Sequence, residues 1–287
     1  MLPREAREYR GRRWRVNPCV GGVLAGLLSS RPMTGSQALD AGASLQLNPS
    51  LDRAALRAAF DARGYVHVAD LLVLEDANRL FRCLADEVEW NLNFHDGTKN
   101  FDLHPIQDAA LQGDKRARLM AHIQQQGRFG FAYMFHNYPL YDAYGAGKPM
   151  PAMLKAAHDF LNSEPLMSLA RDVTGKADIA FADSQVTRFG PGHFLTKHDD
   201  NVAGKNRRLA YVLNLTPDWR PDWGGLLLFF DRHGHVTGGL KPSYNALNLL
   251  SVPIDHAVSF VAPLAGAYRY AITGWLRAGV PEALIKD

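Results

Sequence analysis

The sequence predicts helices first and then a mostly β core of sandwich or barrel type. Residues 51–63 (LDRAALRAAFDAR) carry apolar side chains at helical spacing, with Leu56 and Phe60 four apart, and the pattern stops at Gly64. From Ala177 the character changes to short β-like runs at 179–189, 194–198, 207–215, 224–231, 244–252, 256–261 and 268–276. Turn signals separate them, among them Gly190-Pro191-Gly192 and the stretches 203–206, 220–225, 232–235 and 263–266. Strands spaced this evenly, with few helices between, indicate a sheet closed on itself or doubled.

The elements of the first half follow from local pattern. Residues 65–68 alternate and are β-rich, which predicts a short strand. A second helix is expected over 74–92, with Leu80, Leu84 and Val88 on one stripe. Residues 107–126 read as a polar helix, 129–135 as a strand, and 150–173 as one or two helices stopped by Gly175. Residues 1–48 show no periodicity and are expected to be a disordered tail. One domain is then expected over 49–287, with helical support over 49–176 and a β core over 177–280. No internal repeat or low-complexity tract stands out.

Composition excludes several classes. The 287 residues are 47% hydrophobic and 21% charged, as in ordinary globular chains. A net charge of +3 is too small to argue for nucleic acid, and Arg4, Arg7, Arg10, Arg12, Arg13 and Arg15 crowd one end of it. Cys19 and Cys83, the two cysteines, make neither a disulfide framework nor a zinc site. No apolar run reaches the roughly 18 residues that span a bilayer, so a cytoplasmic protein with no membrane or nucleic-acid partner is expected. Residues 4–15 and 16–28 imitate an export signal, but the apolar part is short, glycine-rich and broken by Pro18. A tail, or a true start at Met33, is the preferred reading.

The chemistry-bearing stretch is His198-Asp199-Asp200. On a strand, residues two apart share a face, so His198 and Asp200 can ligate one metal. His256, at the start of a later β-like run, supplies a third ligand. Two histidines and one carboxylate form the facial triad of non-haem iron(II) oxygenases, with positions left open. Alone the pattern is weak, because a solvated turn at 198–201 and a packed His256 would look the same. His193, His233 and His235 sit at turns and read as surface or turn residues. Arg269 raises the odds. Alternation places Arg269, Ala271, Thr273 and Trp275 on one face, and an arginine inside a barrel needs a carboxylate partner, from the protein or from an anionic ligand.

These residues resemble the 2-oxoglutarate and iron(II)-dependent oxygenases, and among them the prolyl hydroxylases of the oxygen-sensing and ribosomal types. The likeness runs from Asp183 to Arg277, with its parts in order: Phe189-Gly-Pro-Gly192, His198-x-Asp200, Tyr211-Val-Leu-Asn-Leu-Thr216, Asp218-Trp219, Gly224-Gly-Leu-Leu-Leu-Phe229, His256 and Arg269-Tyr-Ala-Ile-Thr273. The resemblance implies a distorted double-stranded β-helix (jelly roll) flanked by helices. It implies iron held by His198, Asp200 and His256, 2-oxoglutarate anchored by Arg269, and Leu227 and Trp275 as pocket lining or plain core. Dioxygen would be the second co-substrate and ascorbate a stimulating reductant.

Two departures stand out. Phe189 lacks the hydroxyl that relatives place near the co-substrate carboxylate. Asn214 falls where they have a second tyrosine, so that its amide could donate instead, while Tyr211 should face the other side of its strand. The implied reaction hydroxylates an unactivated C–H bond, in a prolyl residue of a protein or peptide, as 2-oxoglutarate decarboxylates to succinate. The aromatic run 129–141 either forms part of the substrate cleft or is core. A free amino acid or other small metabolite is the alternative substrate, and a jelly roll that binds without turnover is the alternative of another class.

Overall fold

The computed structural model describes residues 43–281. Its first half contains α1 (Arg53–Arg63), β1 (Tyr65–Val68), α2 (Leu74–Asp86), the hairpin strands β2 (Asn91–His95) and β3 (Asn100–Leu103), α3 (Pro105–Ala109), α4 (Asp114–Gln126), β4 (Tyr133–Tyr138), α5 (Leu140–Gly145), α6 (Ala152–Leu161) and α7 (Glu164–Thr174). Strands then dominate: β5 (Ile179–Ala182), β6 (Gln185–Phe189), β7 (Phe194–His198), β8 (Arg207–Asn214), β9 (Leu227–Phe230), β10 (Val236–Leu240), β11 (Ala246–Ser251), β12 (His256–Val258) and β13 (Arg269–Ala278). The helix ends obey local chemistry. Asp52 caps α1 by accepting the Ala55 N–H, and Gly64, at φ 73°, turns the chain out of it. Gly175, at φ 69°, does the same for α7.

The strands form one antiparallel path, β1-β11-β8-β13-β6-β4-β7-β12-β9-β10, with the β2–β3 hairpin attached at β4 and β5 at β13. The path rolls up into the distorted jelly roll expected from the resemblance. Its outer face, carrying Val66, Leu209, Leu213, Leu247, Leu249 and Ile272, packs with Phe60 of α1, Leu80 and Leu84 of α2 and the apolar sides of α6 and α7. Alternation sends the intervening residues inward. Tyr65, Ala210, Leu227, Phe229 and Leu250 cluster at one end of the interior, with Val212 and Trp275 against them. Phe135, Phe189, Trp219, Val258 and Val261 fill the other end. A cavity of about 530 Å³ lies between, lined from both clusters.

Several sequence-based elements differ in extent. The helix expected over 74–92 ends at Asp86, and its last part is the start of β2, where Leu92 pairs opposite His136. Helical spacing alone cannot distinguish the last apolar positions of a helix from the first of a strand. The helix over 107–126 is divided at Gly113 (φ 51°) into α3 and α4. The run 179–189 is two strands, because at the break Asp183 accepts the Trp275 N–H through Oδ1 and donates its own N–H to the Trp275 carbonyl. β3 and β10 escape the sequence reading because both are largely exposed and lack an apolar stripe. The tail, export-like and Met33 readings, with Cys19, fall in 1–42, outside the described residues. From Ala43 on the chain is described, and Leu47 bridges Leu72. Among the described residues no helix is long and apolar enough to cross a membrane.

Candidate metal centre and co-substrate cavity

β7 and β12 are adjacent, and His198 lies directly opposite His256 in their register. The imidazole centroids are 4.2 Å apart. Each Nδ1 sits within hydrogen-bond distance of a carbonyl two residues upstream, Thr196 at 2.9 Å and Ile254 at 2.8 Å. A carbonyl only accepts, so both Nδ1 atoms carry a proton, and in the neutral form of each ring Nε2 would present its lone pair. Those Nε2 atoms face the Asp200 carboxylate, at 3.5 Å from His198 and 3.4 Å from His256. One ligand atom from each of the three residues lies within 4.8 Å of the others.

One premise of the sequence argument needs correcting. Asp200 is not on a strand, since β7 ends at His198 and Asp200 takes a left-handed backbone at φ 63°. Asp tolerates that conformation better than most residues. The turn is held by Arg207 Nη1, which donates to the Asp200 carbonyl at 3.1 Å, and by Asp199, whose side chain accepts the Asn201 N–H. The carboxylate therefore reaches its place through a turn rather than through period-two alternation.

The electrostatics suit a cation. Burial would raise the Asp200 pKa, but the His256 hydrogen bond and the charges of both histidines outweigh it and hold the carboxyl below its usual range. Burial, then the charge of His256, lowers His198. Burial acts on His256 too, yet its bond to Asp200 and that carboxylate's charge leave it raised. Once a cation displaces the Nε2 protons, two imidazoles and a carboxylate are a donor set that suits iron(II), and each histidine has the carbonyl partner that orients a metal ligand.

Arg269, on β13, lines the same cavity and is 2% exposed. Its guanidinium stands over the Phe189 ring, 5.2 Å from the centroid, and its Nε has no hydrogen-bond partner among the described residues. Among those residues no carboxylate lies within ion-pair distance of it, and burial pushes its pKa down to about 10. Of the two partners left open by the sequence, a protein acid is thus not found among the described residues. A buried, unpaired guanidinium facing a cavity suits an anionic ligand such as the distal carboxylate of 2-oxoglutarate.

The remaining expected residues divide. Leu227 and Trp275 line the cavity and also pack in the inner cluster, so lining and core are one role for them. Asn214 is fully buried, outside the cavity wall, and its amide nitrogen lies 3.3 Å from the Val212 carbonyl and 3.4 Å from that of Ala246. With its donors directed at carbonyls, the geometry does not support Asn214 as a carboxylate partner. Tyr211 packs in the outer core, where its hydroxyl donates to the Asp183 carbonyl. His193 occurs at a turn as expected but is buried, its Nδ1 accepting the Gly190 N–H.

The sequence reading missed Arg207, whose guanidinium carbon is 3.4 Å from the Trp275 ring centroid at the cavity wall. It also left 129–141 undecided. Alternation splits that run: Phe131, Tyr133 and Phe135 line the cavity, while Met134 is core. Burial, and secondarily Asp102, pushes the Tyr133 hydroxyl up to about 12.

Comparison with known proteins agrees with this geometry. Residues 184–277, which include His198, Asp200, His256 and Arg269, match the model of the 2OG-Fe(II) oxygenase superfamily. Prolyl 3-hydroxylase OGFOD1 of Mus musculus is 38% identical over 85 residues, 27% of this chain and 15% of that protein. The Xenopus laevis protein of the same name is 32% identical over 100 residues, covering 32% and 19%. The chain thus aligns with less than a fifth of the length of these relatives. An oxidoreductase of the 2OG-Fe(II) oxygenase family from Burkholderia pseudomallei superposes with a TM-score of 0.51 at 14% identity, over 83% of this chain and 98% of that one. A Trichoplax adhaerens prolyl hydroxylase, solved with a hypoxia inducible factor peptide fragment, gives 0.50 at 16% identity over 79% and 89%. These superpositions establish the jelly-roll fold. The resemblance to 2-oxoglutarate oxygenases, with prolyl hydroxylases among the matches, is borne out.

Proposed function

We propose that this chain is a 2-oxoglutarate- and iron(II)-dependent dioxygenase that hydroxylates a prolyl residue in a protein or peptide. The observation that carries the reading is one cavity holding both the His198–Asp200–His256 cluster and the buried, unpaired Arg269. The superfamily match over 184–277 supports the enzyme class, and the prolyl 3-hydroxylase relatives support the substrate.

His198, Asp200 and His256 would hold the iron, and Arg269 the distal carboxylate of 2-oxoglutarate. When bound, the metal supplies the chemistry that couples decarboxylation of 2-oxoglutarate to insertion of one oxygen atom from dioxygen into a C–H bond. The protein's own work is positional. The Thr196 and Ile254 carbonyls fix both imidazole tautomers. Arg207 secures the turn that presents Asp200. Phe135, Phe189, Leu195 and Val258 give the cavity an apolar wall that keeps water from the reacting C–H bond. No side chain need act as general acid or base.

A free amino acid is the second reading. Arg207 favours it, being a second cation on the cavity wall that a small substrate's carboxylate could meet. The test is anaerobic addition of iron(II) and 2-oxoglutarate, expected to give a visible charge-transfer band, followed by aerobic turnover with prolyl peptides and free amino acids. Mass spectrometry should find one added oxygen on a prolyl residue. A band that persists in His198→Ala or Asp200→Ala refutes the metal assignment. Turnover with free proline and no peptide selects the second reading.

A further inference from the structure

The cavity continues into a second recess of about 350 Å³, which shares Asn93, Gln185, Arg207, Gly274 and Trp275 with it. The added wall of this recess is polar. Three neutral amides stand on neighbouring strands there: Asn93 on β2, Asn137 on β4 and Gln185 on β6. Asn137 is 4% exposed, and its Nδ2 donates to Gln185 Oε1 at 3.2 Å. Its Oδ1 and that of Asn93 are buried with no hydrogen-bond partner among the described residues. Two unpaired acceptors in one buried wall are costly, and a ligand bringing donors relieves the cost.

The chemistry of the wall narrows the ligand. Its ionisable lining is balanced in sign, with Asp102, Asp142 and Asp183 set against Lys205, Arg207 and Arg277. Neither an anion nor a cation is selected. What the acceptors require is a neutral chain carrying N–H groups, and a polypeptide main chain offers one at every residue except proline. We propose that this recess holds the main chain flanking the reacting residue, with Asn93 Oδ1 and Asn137 Oδ1 accepting its N–H groups. The proposal rests on the peptide-hydroxylase reading above and assigns the residues by which a polypeptide is told from a free amino acid.

The experiment uses the full chain with decapeptides of random flanks around a central proline, and acetyl-proline amide as the short substrate. Hydroxylation is read by mass and binding by fluorescence anisotropy of labelled decapeptides, with a central-alanine pool beside the proline pool. In Asn137→Ala the ratio of kcat/KM for decapeptide over short substrate should fall about tenfold, roughly what one lost hydrogen bond in a buried site is worth. Decapeptide binding should weaken by a similar factor. Asn93→Ala, on a different strand, should act in the same direction, which guards against a folding defect in either variant. The charge-transfer band reports that the site is assembled. An unchanged ratio and unchanged binding in both variants overturn the proposal. Proline-centred peptides that go unhydroxylated yet bind, and lose binding in Asn137→Ala, uphold the recess and sink the prolyl assignment instead.

Discussion

Replacing Arg269 with leucine tests two consequences of one buried charge. Arg269 is wholly enclosed, and its pKa falls from 12.5 to about 10 through burial alone. At about 1.36 kcal/mol per unit, holding the guanidinium charged costs the ligand-free protein roughly 3 kcal/mol. The sign follows from the direction: a depressed basic pKa means the charged form is disfavoured, so the cost is fully present at every pH below about 10. Leucine removes it, and exchange of a buried ion for an apolar group is often neutral or stabilising by about 1–4 kcal/mol. Ligand-free Arg269→Leu should therefore melt no lower than the parent. The parent, with iron(II) held anaerobically and 2-oxoglutarate at a hundred times its Kd, should gain about 2.7 kcal/mol. At about 2–4 °C per kcal/mol, that is a rise in Tm of roughly 5–10 °C. Arg269→Leu should show none of this rise. Differential scanning fluorimetry with and without 2-oxoglutarate reads both effects. A variant that melts far below the parent yet keeps the ligand-dependent rise refutes the reasoning, because Arg269 would then be structural.

Two further outcomes are expected. His136 and His193 are buried 5.0 Å apart between ring centroids, and burial above all depresses them to about 4 and about 3. Their folded pKa values lie below the ordinary 6.5, so the unfolded chain takes up protons first as pH falls. Stability should drop by about 1.4 kcal/mol per pH unit for each histidine from pH 6.5 downward. Urea titrations at pH 7 and pH 5 measure this, and an equal dependence in the double variant His136→Phe with His193→Asn would remove these residues as its cause. Gly274→Ala places a Cβ 2.1 Å from the Asp183 carbonyl oxygen, a backbone atom that cannot swing aside. Overpacking there should cost about 2–3 kcal/mol and lower Tm, and an unchanged Tm would show that β13 can shift away from Asp183.

The chain itself determined which chemistry-bearing side chains are present and in what order. That His198, Asp200 and His256 form one cluster was legible because residue type and order carry it, and a β core of sandwich or barrel type because its strands announce themselves by short period and turn residues, whereas the jelly roll itself came from the family resemblance. Alternation was enough to put Trp275 on the face of Arg269, while Leu227 came only from the resemblance. Contacts between residues distant in the sequence were not legible. The first two residues of β2, Asn91 and Leu92, were read as the end of a helix because a local apolar stripe looks the same in both states. Asp200 was assigned to the right cluster for the wrong reason, since a left-handed turn braced by Arg207, not strand alternation, delivers its carboxylate. That among the described residues Arg269 has no acid beside it and two amide oxygens in a recess beyond the cavity have no partner, and that Asn214 directs its amide at carbonyls, are statements about neighbours. Sequence spacing specifies the side chains a strand presents, whereas only the closed barrel decides which strand they face, and hydrogen bonds and charges are satisfied across that gap.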